Sequence, residues 1–105
     1  MDTHLDFDVR TTAARDQWES AAAGWDRHTP VIRRWLRTAT DTMLNMAGVA
    51  PGASVLDMAA GAGDQTLDIA CRVGPAGSVL ATDFSPAILA LARQRAEDAG
   101  FPQVR

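Results

Sequence analysis

Ser54-Val55-Leu56-Asp57-Met58-Ala59-Ala60-Gly61-Ala62-Gly63-Asp64 is the stretch on which the reading of this chain turns. Ser54–Met58 is a short β-type run. Gly61-Ala62-Gly63 is a tight turn, because glycine opens backbone angles closed to other residues. From Asp64 to about Val73 the period becomes helical, with Leu67, Ile69, Ala70 and Val73 apolar. The pattern then repeats. Gly74-Pro75-Ala76-Gly77 is a turn, and Ser78–Thr82 is a second strand ending at Asp83. Ser85-Pro86 is an N-cap followed by proline at the first helical position. A helix follows through Ile88, Leu89, Leu91, Ala92 and Ala96, and Gly100 stops it. Phe101–Arg105 reads as the approach to a third strand. Strands separated by helices pair in parallel through right-handed crossovers.

Outward from this stretch, the N-terminal half reads as helical. Residues 1–10 are polar and unpatterned, which predicts a frayed end. Ala14, Trp18, Ala21, Ala22 and Trp25 recur at helical spacing. Gly24 weakens that helix, and Thr29-Pro30 is expected to start a second one. Its apolar stripe is Ile32, Leu36, Ala39, Met43 and Met46, with Gly48 just past its end. Three tryptophans, Trp18, Trp25 and Trp35, are expected mostly in the core. The chain therefore divides into a helical cap, 1–50, and the first half of an α/β cofactor-binding domain, 51–105.

Composition narrows the function. The chain has 105 residues, 47% of them hydrophobic and 22% charged, so a packed core is expected rather than disorder. A net charge of −3 argues against a nucleic-acid binder, which needs a basic excess. The ten basic residues are all arginine, which we attribute to codon usage. The one cysteine, Cys71, falls in an apolar helical pattern and is expected to be a buried, inert thiol. One cysteine and two distant histidines make no metal set. The acidic start lacks a leader-like apolar segment, and no apolar run suits a membrane span. A cytoplasmic location, with no membrane partner, is the expectation.

In open parallel sheets, ligands bind beyond the carboxyl ends of the strands. Two features lie there. One is the Gly61-Ala62-Gly63 turn, with Asp57 before it and unpaired helix N–H groups after it. The other is Asp83, about 20 positions on, where an acid is expected for ribose recognition. Its carboxylate can accept hydrogen bonds from both ribose hydroxyls, and Phe84 can lie against the adenine. The first helical turn carries Asp64, and a third glycine is missing. A dinucleotide would place pyrophosphate there, and a carboxylate repels it. S-adenosylmethionine has no phosphate and bears a sulfonium and an ammonium. The charges therefore favour that cofactor over a nicotinamide dinucleotide.

These residues resemble a known family. Val55–Asp64 resembles the first motif of class I methyltransferases, an acid followed by G-x-G-x-G. Val73–Val79 and Ala81–Pro86 resemble the segments that follow. The branch it looks most like is that of the ubiquinone/menaquinone biosynthesis C-methyltransferases. Ser20–Asp26 is similar to that branch's A-x-x-Y-D segment, with Trp25 in the tyrosine place. The resemblance implies an S-adenosylmethionine-dependent enzyme with a Rossmann-like methyltransferase fold, acting on a small-molecule acceptor. Here that fold is incomplete: two N-terminal helices, βαβα and the start of a third strand, against seven strands in family members. It implies cofactor contacts at Asp57, Gly61, Gly63 and Asp83, to which the residue reading adds Ala59, Phe84 and Trp25. Ala59 stands where the family usually has its first glycine, which is tolerable if its backbone angles are ordinary. No catalytic residue is assigned.

Plainer readings stand beside these. The glycines can simply serve a βα turn, and Asp57 can accept turn N–H groups. Asp64 can answer the helix dipole. Arg27, Arg33, Arg34 and Arg37 read as a solvated face, and His28 as exposed. At the level of function, the alternatives are a truncated, non-catalytic fragment or partner-dependent module, and a nicotinamide-dependent oxidoreductase piece. Two parallel strands leave faces and edges open, so self-association through a sheet edge is expected.

Overall fold

A computed structural model describes the backbone of residues 3–105 and side chains from residue 8 onward. The elements are α1 (Thr3–Trp35), α2 (Arg37–Met46), β1 (Ser54–Met58), α3 (Asp64–Val73), β2 (Ser78–Thr82) and α4 (Pro86–Asp98). The βαβα half follows the sequence expectation closely. β1 and β2 are parallel and in register from Ser54 opposite Ser78 to Met58 opposite Thr82. The expected third strand begins as a parallel bridge between Val104 and Val79. There the Val79 N–H donates to the Gln103 carbonyl at 3.0 Å and the Arg105 N–H to the Val79 carbonyl at 2.8 Å. β2 is thus flanked on both sides, and among the described residues β1 has a partner on one side only.

Strand alternation sorts the sheet residues. Val55, Asp57, Val79 and Ala81 share the face against α3. Leu44, Ile69, Ala70, Val73 and Val79 form the core cluster, with Val49, Ala53, Val55, Phe101 and Val104 packed on it. Leu56, Met58 and Leu80 lie on the other face and are exposed. They share that face with Ser54, Ser78 and Thr82, and no described element covers its apolar part.

The N-terminal half departs from expectation. There is no helix start at Thr29-Pro30, because α1 runs through Pro30 as one helix of 33 residues. Pro30 has no N–H for the carbonyl four residues back, which ordinarily disfavours a helix interior. Thr29 does not cap. It is buried, and its hydroxyl donates to the Trp25 carbonyl at 2.7 Å. Tertiary ties from α1 to α3 and α4 outweigh the local start signal. The helical path changes only at Leu36, and the Thr40 N–H still donates to its carbonyl at 2.9 Å. Residues 3–10 are helical and not frayed; Met1 and Asp2 lie outside the described residues.

The predicted stripe on the second helix is also corrected. Thr40 and Leu44 face inward, whereas Leu36, Met43 and Met46 are exposed. The break at Leu36 separates Ile32 from the rest of the predicted stripe, and α2 packs by Thr40 and Leu44, one turn apart on one face. None of the three tryptophans is buried; Trp35 is 82% exposed. Trp18 and Trp25 instead lie against each other, ring centroids 5.6 Å apart. Cys71 is exposed, not buried, because α3 turns Ile69, Ala70 and Val73 inward and Cys71 falls on the outer side.

One close approach controls the entry to β2. A Cβ on Gly77 would stand 2.4 Å from the Val73 Cβ and 2.7 Å from the Ala53 carbonyl oxygen. Both neighbours belong to the core wall, and the Ser78 N–H must still reach that Ala53 oxygen, at 3.0 Å. Gly77→Ala is therefore expected to destabilise the chain by about 1–3 kcal/mol, the usual range for forced overpacking. Urea denaturation of the two proteins measures it.

Candidate functional site

The two strand-end turns meet. Beyond β1, the chain passes through Ala59 with φ +55°, a left-handed angle that costs a non-glycine residue roughly 1–2 kcal/mol. The expectation of ordinary angles at Ala59 therefore does not hold. The Ala60 N–H donates to the Thr82 carbonyl at 2.9 Å, which extends the β1–β2 ladder past the strand end. This brings Gly61 beside Asp83. The Gly61 N–H donates to Asp83 Oδ2 at 2.9 Å, and the Ser85 N–H donates to Oδ1 at 3.0 Å. One carboxylate thus joins both turns. Each of its oxygens has a second lone pair.

These turns and α1 enclose a cavity of about 370 Å³. Ala59, Gly61, Asp83, Phe84 and Trp25 line it, five of the seven residues singled out from sequence. Asp57 and Gly63 do not. Asp57 lies on the helix-facing side of β1, where its Oδ2 accepts the Thr66 hydroxyl at 2.6 Å. Gly63, at φ +92°, is the residue before α3, and a Cβ there would meet the Ala92 backbone at 3.0 Å. Its place in the structure is a close crossing of α3 and α4.

The cavity also has walls that sequence reading did not name as site residues. Trp18, Ile32, Leu36, Arg33, Gln65 and Asp68 contribute to it. Arg33, read as part of a solvated face, instead bonds Asp68 across the wall. Its guanidinium is held above its ordinary pKa, chiefly by that hydrogen bond. Asp64 lines the cavity and pairs with Arg95 at 2.8 Å; Arg95 also approaches Asp26 of α1 at 3.4 Å. The lining holds Asp64, Asp68 and Asp83 against one guanidinium, Arg33. Asp68 is paired with Arg33 and Asp64 with Arg95, whereas Asp83 is held by backbone N–H groups, so Asp83 is the carboxylate that most opposes a phosphate there. No group of three or more His, Cys, Asp or Glu suited to a metal is found among the described residues.

The fold is the first βαβα unit of the Rossmann-like S-adenosylmethionine-dependent methyltransferases. A solved "SAM dependent methyltransferase from Aquifex aeolicus" superposes with a TM-score of 0.59 at 27% identity, over 63% of this chain and 35% of that one. TrmN from Thermus thermophilus superposes with a TM-score of 0.59 at 35% identity, over 63% of this chain and 20% of that one. Residues 10–105 match the ubiE/COQ5 methyltransferase family, and the chain belongs to it. It is 38% identical over 87 residues to the 2-phytyl-1,4-naphtoquinone methyltransferase of Trichormus variabilis, covering 75% of this chain and 38% of that protein. It is 36% identical over 108 positions to the ubiquinone/menaquinone biosynthesis C-methyltransferase UbiE of Ectopseudomonas mendocina, covering 93% of this chain and 41% of that protein. The chain thus spans about two fifths of the length of these relatives.

Burial pushes the Asp57 carboxyl above its usual pKa, and the Thr66 hydrogen bond opposes the shift. A carboxyl whose pKa is higher in the folded chain binds protons more readily there. Its ionisation therefore weakens the fold above that raised pKa, and the penalty is absent below the unfolded value. Asp57→Asn keeps an oxygen for Thr66 and removes the charge. It is expected to raise stability at pH 7, with the gain disappearing below about pH 4. Denaturation midpoints across that range check the sign.

Proposed function

We propose that this chain supplies the cofactor-binding part of an S-adenosylmethionine-dependent methyltransferase acting on a quinone-type small molecule. The observation that carries the reading is Asp83. Its two oxygens are already oriented by the Gly61 and Ser85 N–H groups, and each keeps a lone pair for one hydroxyl of a ribose. The residues present fit the rest of the cofactor. The cavity lies in the size range of small-molecule sites, roughly 300–1,000 Å³. Its acidic lining, partly offset by the Arg33–Asp68 and Arg95–Asp64 pairs, suits a cofactor carrying a sulfonium and an ammonium better than one carrying phosphate. The acceptor class is supported by the relatives, whose names specify a phytyl naphthoquinone and ubiquinone/menaquinone biosynthesis.

When bound, the cofactor supplies an electrophilic methyl group. The task of the protein is then mainly orientation and removal of water, which together account for much of such a barrier. Asp83 and the Gly61 turn hold the nucleoside end, with Phe84 beside it. Trp18, Trp25 and Ile32 of α1 form the apolar wall that excludes water. Asp57 acts through α3, steadying the turn by its bond to Thr66. The reading places the protein in the cytoplasm, where an exposed free thiol such as Cys71 stays reduced.

Calorimetric titration of S-adenosylmethionine tests this directly. Asp83→Ala is expected to weaken binding about a hundredfold or more, at about 1.5–3 kcal/mol for each of two charge-assisted hydrogen bonds. Equal binding by both proteins would sink the ribose assignment. NADH, repelled at its pyrophosphate, is expected not to bind; saturable NADH binding would favour an oxidoreductase piece instead.

The chain is also expected to self-associate. The outer edge of β1 has no described partner, and Leu56, Met58 and Leu80 form an exposed apolar face beside it. Unpaired edges of this kind recruit further strands. Sedimentation is expected to show dimers or larger species that grow with concentration. A monomer across the whole range would contradict it.

A further inference from the structure

We propose that Glu19 of α1 is a positioning residue for the strand-end site, setting the turn that carries Asp83; its effect on cofactor binding rests on the function proposed above. The N–H groups in the first turn of α4 must find acceptors outside the helix. Pro86 has none to place. The Ile88 N–H goes to Ser85 Oγ at 3.3 Å, and the Leu89 N–H to the Ser85 carbonyl at 3.0 Å. The Ala87 N–H is taken by Glu19 Oε1, at 3.1 Å. That same oxygen accepts the Ser85 hydroxyl at 2.8 Å. Ser85 is fully buried, so its hydroxyl has no water to turn to. By accepting that proton, Glu19 leaves the Ser85 oxygen free to cap Ile88. A carboxylate at a helix N-terminus also matches the helix dipole.

The chain of bonds continues into the site. The Ser85 N–H donates to Asp83 Oδ1, and Asp83 Oδ2 receives the Gly61 N–H. Glu19, Ser85, Asp83 and Gly61 therefore form one connected series through α1, α4 and both strand-end turns. Glu19 also sits beside Trp18 on the helix that walls the cavity. A single side chain, 66 positions from Ser85 in sequence, both docks α1 and holds the turn from which Asp83 projects.

Amide hydrogen exchange on this chain tests the proposal without any ligand, and tryptophan fluorescence titration with S-adenosylmethionine tests its consequence. Glu19→Ala is expected to speed exchange at the Gly61 and Ser85 amides, and to weaken cofactor binding, by about tenfold each, as for loss of a helix cap. Glu19→Gln keeps the acceptor oxygen and is expected to restore both to within about threefold of the unmodified chain. Faster exchange at Ala87 alone, with Gly61 and Ser85 unchanged, would make Glu19 a mere anchor and overturn the proposal. Should Glu19→Ala fail to fold, Glu19→Asp, one methylene short, is read in the same way. If the unmodified chain binds no S-adenosylmethionine, the proposed function falls, and the exchange comparison alone decides the role of Glu19.

Discussion

The carboxylate of Asp83 is the joint on which this structure depends. Parallel strands end side by side, but nothing in a two-stranded ladder dictates where the chain goes next. Here one oxygen of Asp83 takes the Gly61 N–H and the other takes the Ser85 N–H. The glycine turn after β1 and the cap of α4 are thereby held in one frame. Hydrogen bonds to a carboxylate are stronger than those to a neutral acceptor, so the joint ties together two loops, a class of segment that is ordinarily more mobile than the elements it connects. It also leaves acceptor capacity on a carboxylate that lines a cavity, and the proposed cofactor site rests on that capacity.

Around that joint the charges are arranged with a purpose that composition hides. The whole chain carries a net charge of −3, an unremarkable figure. Within the cavity wall, three carboxylates face one guanidinium. Arg95 stands behind Asp64 and reaches Asp26 as well, so the same pairings that moderate the acidic wall tie α1 to α3 and α4. The helix pays for this placement with exposed tryptophans and an internal proline. Those are locally unfavourable features, retained because the tertiary contacts along α1 outweigh them.

Much of the α/β half was legible in the sequence. Both strands, the helix between them and the capped start of α4 follow from period changes, glycine turns and the Ser85-Pro86 pair. These are local signals, and local structure obeys them where burial agrees. That Ala59, Gly61, Asp83 and Phe84 would lie at one cavity was legible because strand ends in such folds converge, and Trp25 was singled out by the resemblance of Ser20–Asp26. Asp57 looked equivalent in sequence, but strand alternation turns it toward Thr66. The tertiary contacts of Glu19, Arg33 and Asp68 were not legible at all. Their partners lie tens of positions away, and a charge on a helix face looks the same whether it meets water or another helix.

By itself, then, the sequence determined the α/β order, the parallel pairing and the family, because each is written in short-range pattern and motif. Only the tertiary structure decided that α1 runs unbroken through Pro30, that α2 turns Thr40 and Leu44 inward, and that Glu19 closes α4. Those outcomes depend on which distant groups satisfy buried donors and acceptors. That is a property of the packed chain as a whole, and no window of neighbouring residues contains it.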